Sequence, residues 1–196
     1  MVQNAPQMRI LLFVSGLVCH IRSHRRYSAL FASLEDATEG DKKLLAENGL
    51  DTIINRNLAE IKKDGEICGS HEGNVAKCVH GILSDVLRYH EENPSVWPQW
   101  ELGNQYVSRI ASRVDSRAHG ELLLMLQLLL PGTNNFYYGD ELGMVDLDSD
   151  SQVPRQRGAM QWADAYEGGF TSAEQSQVPI NEDYKQYNWE VSVIIA

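Results

Sequence analysis

An almost wholly apolar run, Leu122-Leu-Leu-Met-Leu-Gln-Leu-Leu-Leu130, is cut off by Pro131-Gly132 and followed by Thr-Asn-Asn-Phe-Tyr-Tyr-Gly-Asp-Glu-Leu-Gly-Met144. This stretch constrains the fold more than any other. The run is long enough for a buried helix, from about Ser116 to Leu130. Its interruption by Glu121 and Gln127 makes it too short and too polar for a membrane span, which needs roughly 20 apolar residues. Pro131-Gly132 breaks the helix, an aromatic segment Asn135–Tyr138 reads as a strand, and a Gly-flanked acidic turn closes it. Helix, break, strand and turn make one step of an α/β protein.

The rest of the chain repeats this alternation. Arg9–Val14 reads as a short buried strand of the parallel type. Tyr27–Glu35 has helix-compatible spacing, as does Asp41–Asn48, which Gly49 caps. Asp51–Ile54 suits a second strand. Asn74–Glu91 is the clearest amphipathic helix: Val75, Val79, Ile82, Leu83, Val86 and Leu87 share a face, and Asn93-Pro94 stops it. Trp97–Asn104 reads as a strand running into a loop. After Val145 the chain turns polar, with Asp146, Asp148 and Asp150 in a solvated loop that lacks the glycine and distal glutamate of an EF-hand. The class expected is α/β with a parallel sheet.

Composition narrows the function. The chain has 196 residues and a net charge of −10, which argues against a dedicated nucleic-acid binder. Three cysteines (Cys19, Cys68, Cys78) make no disulfide framework, and their odd number leaves at least one unpaired. Cys68-x-x-His71 with Cys78-x-His80 has a faint zinc look. The last two point in different directions on a helix, so an incidental cluster is the better reading. No metal or cofactor is expected. His20, Arg22, His24, Arg25 and Arg26 read as a solvated basic patch, and His119 as a surface or capping residue. The run Ile10–Val18 is too short to cross a bilayer and a poor signal peptide. Asn93-Pro-Ser is blocked as a glycosylation acceptor by its proline.

Several strings occur together in one order. Pro131–Met144 resembles the last barrel strand of the α-amylase superfamily of glycoside hydrolases. Trp97-Pro-Gln-Trp-Glu-Leu-Gly-Asn104 resembles its seventh-strand motif, Arg157-Gly-Ala-Met-Gln-Trp162 an Arg-Thr-Pro-Met-Gln-Trp motif, and Asp164–Phe170 and Val178–Asn188 the segments that follow. The combination is similar to the α-glucosidase-like branch and, within it, to the heavy subunits of heteromeric amino-acid transporters. The resemblance implies the C-terminal half, about strands five to eight, of a (β/α)₈ TIM barrel, a fold of typically ~250 residues. Residues 1–145 then form the second half of the barrel, and 146–196 a post-barrel loop and the start of a truncated C-terminal region. The strand bearing the nucleophile is missing, and Val191–Ala196 departs from the family. A half barrel leaves unpaired edges, so the isolated chain is expected to be unstable or oligomeric.

The resemblance also implies a degenerate site. Retaining glycosidases need two carboxyl groups ~5–5.5 Å apart, and the family adds a third carboxylate on an Asn-His-Asp loop. Here that string is Asn104-Gln105-Tyr106, with Arg109 kept. Tyr106 replaces the carboxylate with a phenol, uncharged at neutral pH. The acid/base glutamate closes the fifth strand; with Arg9–Val14 as that strand, Val14 or a neighbour stands there, since Met1–Ala29 contains no Asp or Glu. Gly139, Asp140, Glu141, Arg157, Gln161 and Trp162 are expected to be structural. Of the aromatic residues, Trp97, Phe136 and one of Tyr137 and Tyr138 are expected in packing, and Tyr106 facing the former cleft. The reading is a pseudo-glycosidase without catalytic residues: an ectodomain fragment, on the extracellular face of the plasma membrane within a longer anchored chain, that supports the folding and delivery of a membrane light subunit. The alternatives are a fragment of an α-glucosidase-type hydrolase and a remnant without independent function.

Overall fold

The computed structural model describes residues 29–32, 39–63, 65, 68, 75–148, 150–151, 153–174 and 176–195. Strands β1 (Phe31–Ala32), β2 (Thr52–Asn55), β3 (Trp97–Glu101) and β4 (Thr133–Asn135) form one sheet in the order β1-β2-β3-β4. β1 runs parallel to β2 with Phe31 opposite Thr52, and β2 parallel to β3 with Thr52 opposite Trp97. The helices are α1 (Glu39–Glu47), α2 (Val75–Glu92), α3 (Ile110–Arg113), α4 (Arg117–Leu129) and α5 (Trp189–Ile195). Helices between successive parallel strands are what the alternating pattern requires, because a parallel connection must cross back over the sheet.

The described residues cluster into two compact units. The first comprises those up to Asn55 with Ser84–Trp100 and Pro131–Thr133. Its core is Leu45, Leu50 and Ile53, with Leu30 and Ala32 packed against it. α1 ends at a left-handed Gly49 (φ 91°), the cap expected from sequence. Asp51 fixes the start of β2: its carboxylate accepts the Leu30 N–H (2.9 Å), its own N–H bonds the Leu30 carbonyl (2.9 Å), and its carbonyl accepts the Trp97 N–H (2.8 Å). Gly132 sits at φ 120°, where a Cβ would collide with the Pro98 carbonyl. Only glycine satisfies both the backbone angle and that approach.

The second unit comprises Arg56–Leu83, Glu101–Leu130 and the residues from Asn134 on. Leu142, Met144 and Met160 form one core cluster, and Leu58, Leu102 and Ile110 are fully buried. α4 begins at Ser116, whose hydroxyl accepts the His119 N–H (3.2 Å), so His119 is the exposed first-turn residue expected. Cys68 and Cys78 are joined by a disulfide with Cα atoms 5.6 Å apart. That replaces the reading of these cysteines as an incidental cluster: the two lie ten residues apart, and Cys78 sits in the first turn of α2.

The amphipathic face expected of α2 is present. Val75, Val79, Ile82, Leu83, Val86 and Leu87 are buried or half-buried, while Lys77, Ser84, Asp85 and Arg88 are exposed. Elsewhere the structure departs from expectation. Phe31–Ala32 lies in a strand, not in a helix over Tyr27–Glu35, because the sheet offers these residues the edge of β2 as a partner. β4 is Thr133–Asn135 rather than Asn135–Tyr138; the aromatic residues lead out of the strand into the turn at Gly139. α4 is not a buried helix: Leu123 and Gln127 are buried, whereas Leu122, Met125, Leu128 and Leu129 are exposed. The expected strand Arg9–Val14, the basic patch from His20 to Arg26, Cys19 and His71 lie outside the described residues.

Candidate functional site at the loop after β3

β3 delivers Glu101, which is buried. One of its carboxylate oxygens accepts both Arg56 Nε (2.9 Å) and Asn104 Nδ2 (2.7 Å). The other end of the Asn104 side chain accepts the backbone N–H groups of Tyr106 (2.7 Å) and Val107 (3.2 Å). Asn104 therefore folds the loop as an Asx turn, the local bond that makes asparagine favourable at such a position. This turn puts Gln105 and Tyr106 on the surface; Tyr106 is 59% exposed. Arg157 and Gln156 reach the same loop: Gln156 Nε2 (2.5 Å) and Arg157 Nε (3.1 Å) both donate to the Gln105 carbonyl. The Arg157 guanidinium lies 5.8 Å from the Tyr106 ring centroid, within cation–π range.

Arg109 closes the loop from beneath. It is 1% exposed; its Nη1 donates to the Tyr138 carbonyl (2.7 Å) and to Asp140 Oδ1 (3.3 Å). The guanidinium carbon sits 4.8 Å from the ring centroids of both Tyr137 and Tyr138. Its backbone N–H and the Ser108 hydroxyl donate to the Asp146 carboxylate (2.8 and 2.5 Å). Asp146 is thus part of the loop's framework, not a purely solvated acid, because it meets donors from a segment distant in sequence. Asp148 and Asp150 are exposed as expected. Among the described residues, Arg109 Nε and Nη2 and Asp140 Oδ2 have no hydrogen-bond partner.

The electrostatics follow from this burial. Desolvation pushes the Asp140 carboxyl up from 3.8 to about 6, outweighing the opposing pull of Arg109 and Arg113. The pair is monodentate and long, so Arg109 cannot hold the carboxylate in its ordinary range. Gly103 makes room for it: a Cβ there would lie 2.7 Å from Asp140 Oδ2. Burial likewise lowers Arg113 to about 10, which leaves it charged at neutral pH, and burial with Tyr138 nearby raises Tyr137 to about 12. Arg113 makes three bonds to carbonyls, those of Ile61 (3.1 Å), Ser108 (2.8 Å) and Leu102.

Asp140 is 1% exposed and Glu141 is exposed, so these neighbours do not face one another as a carboxyl pair. Gly139, at φ 81°, turns the chain where a Cβ would strike Met144. Gln161 is fully buried and donates to the Tyr187 carbonyl (2.7 Å), whereas Trp162 is half exposed. Trp97 and Phe136 are exposed rather than packed; the buried tryptophan is Trp100, whose Nε1 donates to the Pro131 carbonyl (2.8 Å). The former-site position Val14 lies outside the described residues. The structure thus brings together Asn104, Gln105, Tyr106 and Arg157 at the surface of the loop, over Arg109 and Asp140. Sequence reasoning passed over Arg56 and Glu101, and took Asp146 only for a solvated acid. A charged residue closing the apolar strand Trp97–Glu101 was the available signal for the first two. Among the described residues no three His, Cys, Asp or Glu side chains converge as a metal site.

Comparison with known proteins fits this geometry. Residues 30–194 match the family described as "Alpha amylase, catalytic domain". Over 120 residues the chain is 33% identical to the amino acid transporter heavy chain SLC3A1 of Rattus norvegicus, covering 57% of this chain and 17% of that protein. It is 33% identical over 114 residues to an alpha-glucosidase of Apis mellifera, covering 48% and 20%. Maltase A1 of Drosophila melanogaster is 28% identical over 178 residues, covering 76% and 30%. The chain therefore spans less than a third of the length of these relatives. Among solved structures, trehalose-6-phosphate hydrolase of Bacillus licheniformis superposes with a TM-score of 0.72 at 20% identity, covering 95% of this chain and 40% of that one. Isomaltulose synthase of Klebsiella sp. LX3 gives 0.73 at 17%, covering 92% and 40%. These superpositions place the fold among (β/α)₈ barrels, and the match over residues 30–194 shows that the chain belongs to the alpha-amylase catalytic-domain family.

Proposed function

We propose that this chain is part of a non-enzymatic amino-acid transporter heavy subunit, in which a glycoside-hydrolase-like barrel supports the folding and surface delivery of a membrane light subunit. The observation that carries the reading is Tyr106. At the position the family resemblance gives to the third carboxylate stands an exposed phenol, fixed by the Asn104 turn and overlain by Arg157. Among the described residues of the loop no acid replaces it: Glu101 is committed to Arg56 and Asn104, and Asp140 is only 1% exposed. The similarity to a transporter heavy chain supports the same reading. So does the Cys68–Cys78 disulfide, which suits an oxidising, extracellular setting. No described helix is long and apolar enough to cross a membrane. Co-expression of the full-length protein with candidate light subunits tests the proposal. Co-purification and surface delivery of one of them is expected, and failure with all of them would overturn it.

One observation favours the hydrolase reading. If β3 and β4 are the seventh and eighth barrel strands, the order β1-β2-β3-β4 makes Phe31–Ala32 the fifth, in place of Arg9–Val14. Glu35 then follows that strand in sequence where an acid/base residue is expected. On this reading the full-length protein releases glucose from an aryl α-glucoside, and Glu35→Gln abolishes the release.

A further inference from the structure

The last part of the second unit, from Gln161 to Glu190, exposes its aromatic residues. Trp162 is 46% exposed, Tyr166 58%, Phe170 43% and Trp189 49%. Backbone contacts hold their roots together. The Trp162 N–H donates to the Gly168 carbonyl (2.8 Å), and a Cβ on Gly169, the neighbour of Phe170, would lie 3.4 Å from the Trp162 Cβ. The Trp189 N–H donates to the Gln161 carbonyl (3.0 Å) and the Glu190 N–H to that of Trp162 (3.3 Å), so α5 starts beside Trp162. The Tyr166 hydroxyl donates to the Glu174 carbonyl (2.5 Å) and pins the fourth ring. Single exposed apolar residues are ordinary, but a group of them marks an interaction surface, and tryptophan and tyrosine are enriched where such surfaces bind.

The charge around these rings is one-sided. From Gln161 to Glu190 the sequence has six carboxylates and one lysine, a net −5 of the chain's −10. That lysine, Lys185, stands 4.0 Å from Asp164 with both side chains more than half exposed, a pairing worth little. Among the described residues Glu174 and Glu190 are exposed and form no ion pair. The same segment already holds one cation between a ring and an acid: the Arg117 guanidinium lies 3.6 Å from the Tyr187 ring centroid and pairs with the Asp183 carboxylate. A guanidinium suits such a surface because it stacks on an aromatic face while its N–H groups bond a carboxylate. An anionic membrane surface would be repelled by the same charge.

We propose that this face docks an arginine-bearing, cationic polypeptide segment, whose guanidinium groups stack on Trp162, Phe170 and Trp189 and pair with Glu174 and Glu190. Fluorescence anisotropy of the full-length protein with a labelled decapeptide alternating glycine and arginine tests it, with lysine and glutamate counterparts. Saturable binding of the arginine peptide is expected, about fivefold tighter than that of the lysine peptide, weakened by salt and absent for the glutamate peptide. Trp162→Ala/Trp189→Ala, at half-exposed positions, should cost about tenfold in affinity and remove the preference for arginine over lysine, while Trp162→Phe/Trp189→Phe keeps part of both. Glu174→Gln/Glu190→Gln should weaken the two cationic peptides alike. Absence of saturable binding, equal affinity for the arginine and lysine peptides, or an arginine preference that survives the loss of both tryptophans would each overturn the proposal. Displacement of the peptide by a maltooligosaccharide would assign the rings to sugar stacking instead. Binding by the isolated chain that the full-length protein lacks would make the face an internal packing surface, and either result contradicts the proposal.

Discussion

Arg109 and Asp140 hold opposite charges out of water with one long hydrogen bond between them. Such a pair contributes little net stability, but removing one partner strands the other. Arg109→Met should therefore cost about 3–5 kcal/mol in chemical denaturation, whereas Tyr106→Ala, at an exposed position, should stay within about 0.5 kcal/mol. Asp140 also gives a pH signature. Its folded value, about 6, lies above its ordinary 3.8, so the folded state binds the proton more tightly. Its contribution is fully present below 3.8 and is lost as the pH rises through about 6. The stability of the native chain relative to Asp140→Asn should accordingly fall between pH 4 and pH 7. A difference that is flat or grows over that interval would show that Arg109 dominates the carboxyl instead.

At the scale of elements, the disulfide and the helix caps are the testable parts. The Cys68–Cys78 bridge closes a short loop onto α2, and Cys68→Ser should lower stability by about 2–3 kcal/mol on the chain-entropy estimate. Reduction of the unsubstituted chain should reproduce that loss. Ser116→Ala removes the side-chain acceptor for the His119 N–H at the start of α4 and should cost about 1 kcal/mol. Elements whose identity rests on local chemistry were legible in the sequence. α1 with its Gly49 cap, α2 with its single apolar face, and β3 followed by a polar loop all lie where periodicity and breakers place them. What failed depends on distant partners. Phe31–Ala32 becomes a strand because β2 lies beside it, and Leu122, Met125, Leu128 and Leu129 are exposed because the run packs on one side only. Cys68 and Cys78 are only ten residues apart, and nothing in the two positions alone distinguishes a bridge from an incidental pair. At the site, the replacement at Tyr106 could be read from motif order. The clamp of Arg157 and Gln156 on Gln105 joins segments about fifty residues apart, as does the Arg56–Glu101 pair at 45, and neither has a local signature.

At the scale of the molecule, the chain spans 40% of the barrel structures it superposes on. β1 and β4 are the outer strands of the described sheet, and α4 presents a row of exposed leucines and a methionine. Unpaired strand edges and apolar stripes invite association. Sedimentation of the isolated chain should show concentration-dependent oligomers, and a monomer with a cooperative, concentration-independent melt would contradict this. On the proposed function the family's chemistry has been lost from a retained scaffold. Glucose release from an aryl α-glucoside by the full-length protein tests it most directly. No turnover above background is expected at any substrate concentration; saturable turnover that Glu35→Gln eliminates would contradict the proposed function.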